Sequence, residues 1–63
     1  MNVYLVEPKS KYSGGLLIAA PDLESAFEVL ESLFDADLFH RPVKFPTLQT
    51  RVEHACVLVN VLS

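Results

Sequence analysis

A single helical stripe set among short apolar runs limits the fold more than any other feature of this chain. Leu23, Ala26, Phe27, Leu30, Leu33 and Phe34 fall at the three- and four-residue spacing that lines one side of an α-helix. Glu24, Ser25, Glu28, Glu31 and Ser32 lie mostly opposite. Pro21-Asp22 opens this helix, with Asp22 a good N-cap because its carboxylate accepts from free N–H groups of the first turn. Glu24 adds favourable charge at the positive end of the helix dipole.

The flanking runs are too short for helices. Asn2 to Val6 holds β-branched and aromatic residues and stops at Glu7-Pro8. Leu16 to Ala20 is continuously apolar between Gly14-Gly15 and Pro21, the pattern of a buried strand. Their short link predicts an antiparallel hairpin, with Ser10, Tyr12 and Ser13 at its polar tip. Asp35-Ala36-Asp37 ends the helical pattern, and Pro42 and Pro46 exclude regular helix beyond it. Val43 to Phe45 reads as a very short edge strand, and Arg51 to Leu62 as a long final one. The expected fold is α+β: a three- to four-stranded, mainly antiparallel sheet in the order β-β-α-(β)-β, with one helix on one face. Residues 1–63 read as a single domain.

One helix covers one face of a sheet, and this chain has apolar residues enough for two. Alternation along the strands separates Val3, Leu5, Leu16, Ile18, Ala20, Ala55, Val57, Val59 and Val61 from Asn2, Tyr4, Val6, Leu17, Ala19, His54, Cys56, Leu58, Asn60 and Leu62. The first set has no polar member and is assigned to the helix side. The second is mixed but largely apolar, whereas a face left in water normally alternates apolar with polar. Tyr4, Val6, Leu17, Cys56, Leu58 and Leu62 are therefore the expected interface, closed by a second copy of the chain or by another protein. The competing expectation is that segment 35–50 folds back over this face.

Composition sharpens that reading. Hydrophobic residues make up 51% of 63 residues, and a chain this short buries only about 60% of its unfolded surface. Cys56 is the only cysteine, so no disulfide staples the fold, and the lone thiol fits a reducing, cytoplasmic setting. Met1-Asn2-Val3 has no basic lead of the kind a signal peptide carries. No apolar run approaches the ~18 residues of a membrane span. The net charge of −3, with five scattered basic residues, opposes direct nucleic-acid binding.

Chemistry-bearing residues are few. His40-Arg41 beside Asp35 and Asp37 reads as a charged loop. His54 and Cys56, two apart, would share a strand face, but no oxyanion donor or cleft accompanies them as a nucleophile needs. With Cys56, His40 and His54 in no paired spacing, no zinc site is expected, and neither a catalytic residue nor a cofactor. Gly14-Gly15 precedes a strand, not the helix N-terminus that phosphate loops use. Glu24, Glu28 and Glu31 form an acidic helix face that would meet a basic partner surface. The expected function is a small non-enzymatic binding module, an inhibitor or adaptor of a larger protein. Compact acidic proteins of phages and mobile elements that inhibit host defences are similar in size and charge, though no motif carries that likeness. The alternative is a structural homodimer or a small subunit of a larger assembly.

Overall fold

A computed structural model describes residues 1–10 and 14–61. It contains strand β1 (Asn2–Val6), strand β2 (Leu16–Ala20), helix α1 (Leu23–Leu33), a 3₁₀ turn (Ala36–Leu38), strand β3 (Val43–Gln49) and strand β4 (Cys56–Asn60). The four strands form one sheet in the order β3-β1-β2-β4, and all three pairings are antiparallel. The fold is thus α+β, with the final two strands added to opposite edges of the β1–β2 hairpin.

The hairpin is in regular register from Asn2↔Ala20 to Val6↔Leu16. Two glycines sit at its return. Gly14 has φ 108°, a conformation that L side chains rarely adopt. A Cβ on Gly15 would lie 2.7 Å from the Val6 carbonyl oxygen, so the close approach of the two strands leaves no room for a side chain. The expected hairpin tip at Tyr12 and Ser13 lies outside the described residues.

Helix α1 starts where the sequence says it should. The Asp22 carboxylate accepts from the Ser25 N–H at 2.8 Å, and the Ala26 N–H donates to the Asp22 carbonyl at 3.1 Å. The helix stops because Phe34 turns to an extended backbone while its N–H still reaches the Leu30 carbonyl at 2.9 Å. Asp35 then caps the 3₁₀ turn, its carboxylate accepting from the Asp37 N–H at 3.1 Å. This local bonding competes with further helix.

The core under the helix comprises Tyr4, Val6, Leu16, Ile18 and Ala20 from the sheet, with Ala26, Leu30 and Phe39. Val29, Phe34, Ala36 and Val57 pack at its margin. Phe34 and Phe39 meet edge to face, ring centroids 5.9 Å apart, a preferred aromatic geometry. The expected helical stripe is only partly buried. Ala26 and Leu30 are fully enclosed, while Leu23 and Leu33 are 42% and 63% exposed.

Three sequence expectations change. The β1 residues facing the helix are Tyr4 and Val6, not Val3 and Leu5. Strand alternation puts both on the open face; both are buried, at 3% and 0% exposure. The last strand is shorter than Arg51 to Leu62, covering Cys56–Asn60, because residues 50–55 must first carry the chain from one sheet edge to the other. The third strand is longer than Val43 to Phe45 and runs to Gln49. Proline is tolerated within it because β3 is an edge strand.

The route of segment 50–55 is marked by its bonds. The Thr50 N–H donates to the Met1 carbonyl at 2.8 Å, and the Met1 ammonium donates to the Thr50 carbonyl at 2.7 Å. Asn2 Nδ2 donates to the Pro21 carbonyl and Gln49 Nε2 to Asn2 Oδ1. The chain therefore crosses at the end of the sheet where β1 begins and β2 ends.

Candidate docking surface

Residues paired across an antiparallel ladder share a face, and their chain neighbours point to the other. The register therefore defines the contents of each face. On the helix side, Lys44, Tyr4, Ile18 and Val57 form one row from β3 to β4. Gln49, Asn2 and Ala20 form another, and Val6, Leu16 and Asn60 a third. This face is apolar at its centre and polar at its edges.

The other face differs. Val43, Leu5, Leu17 and Val59 stand in one row that crosses all four strands. Val3, Ala19 and Cys56 make the row beside it. Val61 lies two residues beyond Val59, where the Val61 N–H still bonds the Gly15 carbonyl at 2.9 Å, so it continues the same face. None of these positions carries a charged side chain. Val43 is 62% exposed, Val59 43% and Val61 61%. Leu5, Leu17 and Cys56 are half-buried. Val3 and Ala19 are enclosed although neither belongs to the cluster under the helix.

Of the residues expected at the interface, Leu17 and Cys56 lie on this helix-free face. Tyr4 and Val6 are locked beneath the helix and line no surface. Leu58 is 36% exposed and falls where the β2–β4 register slips, between the Leu17↔Val59 and Ile18↔Val57 pairs. Leu62 lies outside the described residues. Segment 35–50 forms the 3₁₀ turn and β3 beside β1, with residues 45–48 opposite the enclosed Val3, while Leu5 and Leu17 stay half-open. Strand β1 carries apolar residues on both sides, so sequence alone does not place Leu5 in the open row. The row's outer members, Val43, Val59 and Val61, escape sequence reasoning with it.

The two edges of the sheet are not alike. In β3 the Tyr4↔Lys44 and Asn2↔Gln49 pairs leave residues 45–48 opposite the single residue Val3. A distortion of this kind, with Pro46 and Lys44 beside it, blunts an edge against further strand pairing. β4 reads Cys-Val-Leu-Val-Asn, with neither charge nor proline.

On the helix side the acidic residues expected to meet a partner are all exposed: Glu24, Glu28 and Glu31. Glu28 lies on an open groove of about 480 Å³, with Ser25 and Ser32 on the helix wall and Glu53, His54 and Ala55 opposite. Sequence spacing gives no reason to expect Glu53 there, because only the crossing of segment 50–55 brings it to α1. A smaller hollow of about 250 Å³ is lined by Glu31, Phe34, Asp35, Ala36 and Asp37. The Asp22 carboxyl is held below its ordinary value of 3.8, chiefly by the hydrogen bond from the Ser25 backbone N–H and then by the Ser25 side chain.

The remaining chemistry-bearing residues are not brought together. His54 lies in the crossing segment and lines the groove beside the helix, whereas Cys56 pairs with Ala19 on the helix-free side. The expectation that they share a face fails because β4 begins at Cys56. His40 and Arg41 are exposed, and the His40 N–H donates to the Glu7 carbonyl at 2.8 Å. Among the described residues, no three of His, Cys, Asp and Glu are grouped as a metal site would require. No helix among them is long and apolar enough to cross a membrane.

The fold and surface define a small α+β chain with one open apolar row and an acidic helix. Compared with protein-family models, curated proteins and solved structures, the chain matches none.

Proposed function

We propose that this chain is a non-enzymatic protein-binding module that docks through the helix-free face of its sheet. The observation that carries the reading is the row Val43–Leu5–Leu17–Val59, uncharged across all four strands and open at both ends. Water is a poor neighbour for such a row, and a contiguous apolar patch on a small protein usually marks an interface. In this reading the module acts as an inhibitor or adaptor of a larger protein, the role that small acidic proteins of phages and mobile elements fill, or as a subunit of an assembly.

The acidic helix supports a second contribution to the same role. Glu24, Glu28 and Glu31 project from a helix whose other side is fixed to the sheet, and Glu53 lines the same groove as Glu28. Such a surface speeds the approach of a basic partner more than it strengthens the final complex.

The test compares immobilised wild-type chain with its Val59→Lys and Val43→Lys variants as bait in a lysate of the native host. A stoichiometric partner retained by the wild type and lost from both variants supports docking through this face. A partner retained equally by all three overturns it.

A further inference from the structure

We infer that the groove beside α1 seats an arginine side chain of a protein partner. This rests on the acidic-surface part of the reading above and is independent of docking through the sheet face.

The groove measures about 480 Å³, within the roughly 300–1,000 Å³ of known ligand sites. Its lining is amphipathic. Pro21, Val29 and Ala55 supply apolar surface, and the polar side chains come from two segments far apart in the sequence. Ser25, Glu28 and Ser32 belong to the helix, and Glu53 and His54 to the residues that cross the end of the sheet.

The hydrogen-bonding character of this lining narrows the ligand. Ser32 Oγ donates to the Val29 carbonyl at 3.0 Å, and the Ser25 side chain is turned to the Asp22 carboxylate. With their hydrogens committed, both hydroxyls offer a ligand lone pairs only. Glu28 and Glu53 are exposed, and an ionised carboxylate accepts without donating. The Met1 ammonium at the margin of the groove is turned to the Thr50 carbonyl at 2.7 Å. Among the described residues no Lys or Arg lines the groove. His54 adds a donor, since a neutral imidazole carries one N–H. The lining is thus rich in acceptors and negative charge, and its best complement is a cation with many donors.

Among side chains that complement is arginine. A guanidinium presents five N–H donors in a rigid plane and no acceptor, so it can answer acceptors from two segments at once. The ammonium of lysine is a compact, strongly hydrated point charge. Arginine also lays its aliphatic stem along apolar surface while its charged head stays near water, which suits Val29 and Ala55 beside carboxylates in an open groove. A free amino acid would bring an α-carboxylate that Glu28 and Glu53 repel. Within a polypeptide that charge is absent, and the source is therefore a partner protein.

An amide chemical-shift titration of the full, ¹⁵N-labelled chain with N-acetylarginine amide tests this seat. The expected result is a saturable shift at Ser25, Glu28, Ser32, Glu53 and His54, with a dissociation constant on the order of 10 mM for the isolated residue. The doubly substituted Glu28→Gln, Glu53→Gln chain should bind at least about fivefold more weakly. N-acetylcitrulline amide, the same shape without the charge, should not bind, and N-acetyllysine amide and free arginine should both bind more weakly than the arginine amide. Equal binding by the citrulline or lysine compound overturns the assignment of a guanidinium, and equal binding by free arginine overturns its assignment to a partner protein. An unchanged titration in the double variant overturns the groove as the seat.

The position of the shifts separates this inference from the reading on which it rests. Shifts of equal size at Glu24, Glu31 and Asp35 would mean that arginine is drawn to the acidic helix as a whole, which overturns the seat and keeps the acidic surface. No shift at any residue overturns both. Docking through the helix-free face is untouched by either result, because the bait experiment with Val59→Lys and Val43→Lys reads it separately.

Discussion

On one side of the sheet, Tyr4, Val6, Leu16, Ile18 and Ala20 meet Ala26 and Leu30 and lose nearly all contact with water; on the other, Val43, Val59 and Val61 keep roughly half of theirs. The residue types are nearly the same on both sides. The difference comes from what covers them, since α1, the 3₁₀ turn and Phe39 all gather on the first side. A buried apolar side chain contributes about 1.5–3 kcal/mol relative to an exposed one. The helix side therefore supplies most of the stability of this small fold, and the helix-free side leaves Val43, Val59 and Val61 in contact with water.

Substitutions that separate the two faces test this contrast most strongly. Leu30→Ala removes a fully enclosed side chain and should cost about 2–5 kcal/mol, close to the whole stability of a domain this small. Val43→Lys, at an open position, should stay within about 0.5 kcal/mol of the wild type. Urea unfolding followed by circular dichroism measures both, and similar losses in the two variants would erase the distinction.

The hairpin is the next place to press, because its register decides which β1 residues face the helix. Gly15→Ala places a methyl group 2.7 Å from the Val6 carbonyl oxygen and should cost about 1–3 kcal/mol through backbone displacement. A Gly15→Ala variant as stable as the wild type would show that the close strand approach is not required.

A smaller and pH-dependent effect is expected at Asp22. Its carboxyl is lowered below 3.8 by the Ser25 N–H, so the ionised form is the one the fold favours. The contribution is fully present above the unfolded value and is lost as pH falls through the lower folded value. Asp22→Ala should therefore lower the thermal midpoint near neutrality, and the gap from wild type should close at the acid end of a pH series. A gap independent of pH would mean that the cap acts without its charge.

The least effect on folding is expected from reversing Glu28 and Glu31 to Lys, because both are exposed and surface charges contribute little to stability. The thermal midpoint should be nearly unchanged. Association with a basic partner should slow, and its dependence on salt should shrink. Stopped-flow association across a salt series checks this, and an unchanged rate would leave the acidic face as solvated surface.

Much of the candidate surface is hidden from the sequence for one local reason. Tyr4 and Val6 alternate with Val3 and Leu5, and all four are apolar enough for a core. Nothing within β1 distinguishes its two phases, and a shift of one residue exchanges every side chain between faces. Leu17 and Cys56 are legible because β2 and the start of β4 keep the phase that alternation gives them. Simple alternation assigns Val59 to the helix side, because the register slip at Leu58 cannot be read from a run of valines.

Several elements are dictated by local chemistry. Asn2–Val6 and Leu16–Ala20 follow from β-branched and apolar runs bounded by turn residues, and α1 from its stripe and the Asp22 cap. Tertiary structure alone decided the rest: the pairing of Val6 with Leu16 that turned Tyr4 inward, the crossing of residues 50–55 that shortened β4 and brought Glu53 to α1, and the unlike edges of the sheet. These depend on contacts between segments far apart in the chain, where register and connection geometry choose among arrangements that local propensity leaves equal.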